Sequence, residues 1–528
     1  MSDDPRPRVL VREPIAASGL ELLRDRFDVV EDSDSDLASI IGGFDAIVVR
    51  SATTLDATLI ERAQRLKVIG RAGVGLDNVD VDAATRRGIV VANSAESTVT
   101  SAAEHTIALL LALVRNVPQA QAALASGTWA RERFAGVELA GKTLGVVGLG
   151  RIGRQVARSG LALGMRVVAY DPFVAVDRFR ELGIEPAEAL DDLYAVADFI
   201  TLHIPLSDQT RHLLDAEAFA RMRDGVRIVN AARGGLVDES ALVDALRSGK
   251  VAGAALDVFE SEPYSGPLLE LDNVVTTPHL AGSTAEAQDR AGVMIAEQVA
   301  AALDGEIVQN AVNIPAIEHG DLEMLGPFVP LAATLGRLAM ALSKGWPEHI
   351  VVAVHGPLSE RDTRLLTVAA LNGAFQGQVD EVVNVVNAPV IAAERGIDVS
   401  EQRFGVSRHY TNLVRVVVAT AAGELEVSGT TVGPEHRLFL AGALGYAIDV
   451  ELASLMAFLV YDDVPGVIGR VGTMFGDAGV NIANMAVSRT SEGGKALMVF
   501  SIDSAAPPEL VERVKAEGFD DARFISLG

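Results

Sequence analysis

From Arg8 onward, short apolar runs alternate with stretches whose apolar residues recur at helical spacing. The runs read "RVLV", "DAIVVR", "KVIGRAG" and "GIVVAN", the last ending at Asn93. Apolar runs this short, separated by helical patterns, predict βα units and an open parallel sheet. A helix-compatible stretch follows over 97–115. After "ELAGKT" the alternation restarts more strongly, in "LGVVGLG", "MRVVAYD", "DFITLHIP", "VRIVNAAR", "VAGAALDVF" and "NVVTTPH". Six such units in a row predict a Rossmann-type doubly wound sheet that binds a nucleotide. The stretch 283–304 is helical in pattern and polar on one side, which suits a return to the first unit.

The pattern changes after "NAVNIPAIEHGDLEMLGP". Residues 322–450 read as two helical stretches followed by β-rich sequence with a hairpin in "VRVVVATAAGELEVSGTTV". The remainder reads β-α-β-β-α-β, the split order of a ferredoxin-like domain. The expected division is 1–97 with 283–316, then 98–282, 317–452 and 453–528.

Composition narrows the chemistry. The chain has 528 residues, 49% hydrophobic and 22% charged, enough apolar material for several buried cores. A formal charge of -26 and a pI near 4.8 disfavour nucleic acid or anionic lipid as partners, so an anionic substrate needs a few locally placed arginines. There is no cysteine, which excludes disulfides, thiolate metal sites and thiol catalysis. No metal site is expected. "MSDDPRPRVLVREP" lacks the cationic and apolar regions of a signal peptide, and the longest apolar run stops at Arg115. These features predict a soluble, cytoplasmic protein.

The first chemical motif is "GLGRIG". Gly148, Gly150 and Gly153 form G-x-G-x-x-G between an apolar strand and a helix. The first glycine permits the turn, the second admits a pyrophosphate, and the third lets helix and strand pack closely. A second strand ends at Asp171, near the spacing expected for the acid that binds a ribose. Its carboxylate would accept a 2′-hydroxyl and repel a 2′-phosphate, so NAD is favoured over NADP.

Three further segments sit at predicted C-terminal strand ends, where open α/β sheets bind ligands. "NAARGGLVDESAL" offers Arg233, "DVFESEP" offers Glu262 and "TTPHLAGS" offers His279. Hydride removal from a secondary alcohol needs a base near neutral pH, a carboxylate to orient it, and a cation to polarise the growing carbonyl. Taken singly, Arg233 also reads as a solvated turn residue, Glu262 as loop charge and His279 as a helix cap.

Together, in this order, the four segments resemble the D-2-hydroxyacid dehydrogenase family. That resemblance implies a flavodoxin-like substrate domain beside the Rossmann domain, with Arg233, Glu262 and His279 as the catalytic group. It places cofactor contacts at Arg151, Ile152, Asp171, Ile204, Ala231, Ala232 and Asp257, and at His279, Leu280, Ala281 and Gly282. Within the family, "VVRSATTL", "KVIGRAGVGLDNVD" and "NAVNIP" resemble the members that oxidise 3-phosphoglycerate. Arg50 and Arg71 each end an apolar run and suit a second anionic group, such as a phosphate, although a strand-edge arginine can also simply reach solvent. Asn93 is a weaker candidate of the same kind.

"FLVYDDVPGVIGRVGTMFGDAGVNIANMAVSRT" resembles the ACT domain, a small amino-acid-binding module. Tyr461, Asp463 and Asn481 are expected to face one another across a strand–helix edge that a second subunit usually shares. Asp463 would hold an ammonium group and Asn481 a carboxylate or hydroxyl, which suits L-serine as a feedback inhibitor. Residues 317–452 resemble the intervening domain of the longer family members, which has been viewed as an allosteric substrate-binding unit; Arg408, His409 and Lys344 are its candidate anion contacts, though they read more readily as surface residues. The resemblance also implies a homotetramer and allows a side activity as a 2-oxoglutarate reductase. A glycerate or hydroxypyruvate reductase would need a single anion clamp and no regulatory tail. An NADH-sensing corepressor on this fold would carry disordered tails instead of an amino-acid module, and a pure amino-acid sensor would have no use for the catalytic segments.

Overall fold

The computed structural model describes residues 6–315, 319–491, 493–519 and 521–527. The domain limits set at 1, 316–317 and 528 lie outside those residues.

The first sheet is built from β1 (Arg8–Val11), β2 (Asp28–Glu31), β3 (Ala46–Val49), β4 (Val68–Arg71) and β5 (Val90–Asn93). Its order, β2-β1-β3-β4-β5, is parallel throughout, the flavodoxin-like arrangement. β1, β3, β4 and β5 match the apolar runs. β2, "DVVE", is an edge strand with two exposed ends, too short and polar to register as a run.

The second sheet holds β6 (Thr143–Val147), β7 (Arg166–Tyr170), β8 (Glu185–Pro186), β9 (Phe199–Leu202), β10 (Val226–Asn230), β11 (Val251–Leu256) and β12 (Val274–Thr276). It runs β12-β11-β10-β9-β6-β7-β8, all parallel, with the order reversing at β6. Six strands are those expected. The seventh, β8, is a two-residue edge strand ending in a proline, where only an edge can tolerate the missing N–H.

The helix Val99–Val114 leaves the first sheet and packs on the second. The helix Ala285–Leu303 returns, laying Ile295, Ala296, Val299 and Ala300 into the core that holds Val9, Val48 and Val68. It crosses the helix Ala17–Arg26 so closely that a methyl group on Gly19 would lie 2.4 Å from the Gly292 carbonyl oxygen. The C-terminal ends of both sheets therefore open on one cleft.

Beyond the cleft, β13 (Pro347–His355), β14 (Asp398–Phe404), β15 (Leu413–Thr420), β16 (Gly423–Val432), β17 (Arg437–Ala443) and β18 (Tyr446–Glu451) form a mixed sheet ordered β14-β13-β15-β16-β17-β18. The expected hairpin is β15–β16, closing at Thr420 opposite Gly423. The expected run of two helical stretches followed by strands is corrected: β13 lies between the helices Phe328–Leu342 and Arg364–Phe375, and short helices His319–Leu325 and Ala388–Glu394 flank them.

The last unit is β19 (Leu455–Asp462), β20 (Ile482–Arg489), β21 (Lys495–Ile502) and β22 (Arg523–Ser526) with two helices, in the βαββαβ order. Its antiparallel sheet runs β20-β21-β19-β22. One face, with Leu459, Tyr461, Met498 and Phe500, packs on its own helices. The other, with Met456, Phe458, Leu497, Val499 and Ile525, joins the buried core of the preceding unit. Arg337 and Arg523 tie the seam through the carbonyls of Leu527 and Leu342.

Gly19→Ala is expected to push the returning helix off the first sheet, at about 1–3 kcal/mol for overpacking. A lowered urea midpoint read on the N-terminal half tests this; an unchanged midpoint would show that the crossing has slack.

Candidate active site

The glycine turn behaves as its sequence requires. Gly148 has φ +92, and a Cβ there would sit 2.5 Å from the His203 carbonyl oxygen. A Cβ on Gly153 would strike the Gly148 oxygen at 2.0 Å. At Gly150 a Cβ would meet nothing within 4 Å, so the space beside the start of the helix Arg151–Ala162 is open. Asp171 holds the turn from the next strand end, accepting the Leu149 N–H at Oδ2 and the Phe173 N–H at Oδ1, 2.8 and 3.0 Å away. Ile204 follows β9 and lies against the Gly148 turn, while Ala231 and Ala232 follow β10, with the Ala232 N–H donating to Asn230. A dinucleotide fits this cradle: open backbone at Gly150, helix N–H groups free to receive phosphate, and a carboxylate placed for a ribose. Arg151 is half-exposed and paired with Glu96 at 2.6 Å.

Arg233, Glu262 and His279 follow three adjacent strands, β10, β11 and β12. His279 Nδ1 lies 2.8 Å from Glu262 Oε2, and the other Glu262 oxygen accepts the Phe259 N–H at 3.1 Å. The carboxylate is thereby fixed and in turn fixes the ring, leaving Nε2 free. His279 adopts φ +55, a left-handed conformation that a non-glycine residue holds only where its surroundings enforce it.

Asp257 enforces it. This side chain is wholly buried, and its Oδ1 accepts the Leu280 N–H and the Thr277 hydroxyl at 2.7 and 2.6 Å, while Oδ2 accepts the Ala281 N–H at 2.8 Å. Its own carbonyl accepts the His279 N–H. The resemblance assigns Asp257 to cofactor contact; the structure places it beneath the turn, as a support. His105, on the helix Val99–Val114, completes the knot with Nε2 at 3.2 Å from Asp257 and 3.1 Å from Thr277. Neither His105 nor Thr277 was expected, because nothing local in "AAEHTIALL" distinguishes a site histidine from a core one.

On the opposite wall, Arg71 folds back over its own loop. Its Nη1 lies 1.5 Å from where a Cβ on Gly73 would be, and Arg233 Nη2 lies 2.7 Å from the corresponding point on Gly75. The two glycines of "RAGVG" thus exist as beds for two guanidiniums. Burial first, then the charge of Arg233, lowers the pKa of Arg71; Asp77 and Glu13 oppose this, and Arg50 adds to it. The Arg71 Nε is buried without a partner. Arg71 and Arg233 thus meet at one loop from different sheets, with Arg50 near enough for its charge to be felt at Arg71. Asn93 is excluded: it is buried, donating to the Val74 carbonyl.

The regulatory candidates lie apart within the single chain. Tyr461 is core, edge-on to Phe519 at 5.8 Å, its hydroxyl pushed up by burial and by Asp463. The Asp463 N–H bonds Gly494 just before β21, whereas the Asn481 carbonyl accepts from Asp503 just after it. The eight residues of β21 hold them about 25 Å apart, so the three do not meet within one chain. Asp463 is paired with Arg489 at 3.1 Å, and Asn481 with Asp503 at 2.8 Å. In the mixed-sheet unit, His409 lines a hollow of about 570 Å³ with Tyr410, Thr430 and His436. Arg408 is exposed, and Lys344 sits at the far end of β15, beside Thr420. They form no common anion site.

Among the described residues, no three His, Asp or Glu side chains converge as a metal site. No single helix there is long and apolar enough to cross a membrane, although the bent pair Val99–Val114 and Val117–Ala125 together has the length.

Three family comparisons divide the chain as the architecture does. The NAD-binding domain of the D-isomer specific 2-hydroxyacid dehydrogenases matches residues 107–281, the D-3-phosphoglycerate dehydrogenase intervening domain matches 324–440, and the ACT domain matches 456–519. A D-3-phosphoglycerate dehydrogenase of Archaeoglobus fulgidus is 43% identical over 98% of this chain and 100% of its own length. One from Mycobacterium tuberculosis is 45% identical over 97% of both. The solved D-lactate dehydrogenase of Aquifex aeolicus, complexed with NAD and lactic acid, superposes with a TM-score of 0.52 at 31% identity, covering 58% of this chain and 98% of that one.

Burial beneath the cofactor turn pulls the His203 imidazole from 6.5 down to about 4. The folded protein therefore keeps it neutral, while the unfolded chain protonates it below 6.5. Its stabilising contribution is complete above 6.5 and is lost as pH falls toward 4. Melting temperature is expected to drop less over this window in His203→Gln than in the native chain; parallel curves would contradict it.

Proposed function

This chain belongs to the D-3-phosphoglycerate dehydrogenases, within the D-isomer specific 2-hydroxyacid dehydrogenase family, and from that premise we propose how its residues carry out the reaction. It is an NAD-dependent oxidoreductase that converts 3-phospho-D-glycerate to 3-phosphohydroxypyruvate. The observation that carries the residue assignment is the fixed Glu262–His279 pair, on strand ends neighbouring the one that carries Arg233.

Bound NAD supplies the acceptor for the hydride leaving C2. Gly150 and the N–H groups of Arg151 and Ile152 would hold its pyrophosphate and Asp171 its ribose, with the 279–282 turn lining the same site. Arg233 grips the substrate carboxylate and polarises the carbonyl growing at C2, while Arg50 and Arg71 take the phosphate. His279 Nε2 receives the hydroxyl proton. Glu262, bonded to Nδ1, holds the ring's orientation and offsets the charge it gains. Residues 1–97 and 283–316 act as the substrate domain, 98–282 as the cofactor domain, and 317–452 and 453–528 as the regulatory half.

The C-terminal unit then reads as a sensor of L-serine, the end product of the route this oxidation opens. Because Asp463 and Asn481 stand at opposite ends of β21, a complete serine site needs both ends brought together by a second subunit, within a homotetramer. An incoming ammonium group would compete with Arg489 for Asp463.

NADH formation with 3-phosphoglycerate, titrated with L-serine, tests both halves. His279→Ala should keep its fold and lose roughly 10²- to 10⁴-fold in kcat, the usual contribution of a positioned base; near-normal turnover would refute the assignment. Asp463→Ala should turn over normally and escape serine; retained inhibition would remove Asp463 from the sensor.

A further inference from the structure

Two carboxylates face the cleft arginines, and they differ in kind. Glu13 is locked: its Oε1 accepts the N–H groups of Arg50 and Thr53, and its Oε2 that of Ala52, at 2.9–3.1 Å. Burial works against its charge, but these backbone donors prevail and hold it below the usual carboxylate range. Glu13 is part of the wall.

Asp77 is free. Its side chain is 78% exposed, and among the described residues its closest charged group is Arg233, with Oδ2 3.8 Å from Nε. Its charge also works against the lowering of the Arg71 pKa by burial and by Arg233. The backbone beneath it is nonetheless anchored, because the next residue, Asn78, donates from Nδ2 to the carbonyls of Arg50 and Thr53 at 2.7 and 2.5 Å. A fixed backbone thus carries an exposed, weakly held carboxylate beside the guanidinium of Arg233. Arg233 donates to the Ala232 carbonyl, and Arg71 Nε to nothing.

We infer that Asp77 is a displaceable internal anion, which screens the cleft arginines in the empty enzyme and must yield its place to the anionic groups of the substrate. It sets the threshold for entry: it raises the concentration at which any anion, substrate or inorganic, occupies the clamp. The inference rests on the reading that Arg50, Arg71 and Arg233 hold the substrate. The charge pair is exposed and long, so its effect is modest, roughly threefold to tenfold, and weakens as salt screens it.

The test is Asp77→Asn in the full chain, which keeps shape and removes charge. Sulfate serves as the probe of simple anions, by competitive inhibition against 3-phosphoglycerate at low and high ionic strength. The expected result is a KM and a sulfate Ki both lowered, roughly threefold to tenfold at low salt and less at high salt. Values unchanged or raised would overturn the inference. Arg71→Gln, measured in parallel, separates the two readings. If it leaves KM unchanged, the arginine clamp itself is wrong. If it raises KM while Asp77→Asn changes nothing, only the role of Asp77 falls.

Discussion

A carboxylate with no access to water holds the catalytic turn in place. Asp257 receives two backbone N–H groups and a hydroxyl, with His105 completing the set, and each bond constrains the segment that carries His279. Burying a charge is costly unless every lone pair is met, so the turn and the carboxylate stabilise each other or neither persists. The left-handed φ of His279 is the visible consequence. Strain at a histidine survives because the knot below leaves the backbone no alternative, and the same knot aims the ring at Glu262.

The opposite wall works by repulsion. Arg71 and Arg233 come from different sheets and are brought together over two glycines whose missing side chains make the room. Like charges in a partly buried place raise the energy of the empty cleft, and an anion that bridges them lowers it. A chain with a large negative charge can bind a phosphorylated acid in this way, because a few local cations outweigh a distant, screened surface charge. The clamp proposed above needs both domains, since Arg233 follows β10 of the second sheet while Arg50 and Arg71 lie at the ends of β3 and β4 of the first.

The regulatory half is bound together more tightly than its division into two domains suggests. The β19–β22 sheet is apolar on both faces, and its second face completes the core of the unit before it. That shared core includes residues of the helices Phe328–Leu342 and Arg364–Phe375, so the two units pack as one body. The helix Ala388–Glu394 also touches the helix Val81–Arg86 of the first unit, beside the Asn384 bond to the Gly88 carbonyl.

Much of this was legible in the sequence, and for local reasons. Apolar runs of four to six residues with helical intervals dictate parallel βα units. The roles of Gly148 and Gly153 follow from space that only glycine leaves, and Arg233, Glu262 and His279 stand at strand ends because open sheets place their chemistry there. The short edge strands β2 and β8 escaped because their pattern is too brief to rise above loop sequence. What only the tertiary structure decided is partnership between residues far apart in the chain. His105 is 152 positions from Asp257, and its helical face looks like any core face until β11 and β12 are laid against it. Tyr461, Asp463 and Asn481 lie in one short motif, yet the path through a helix sends Asn481 to the far end of β21. Hydrophobic periodicity encodes which way each side chain points within its own element; only the packing of elements determines what it meets.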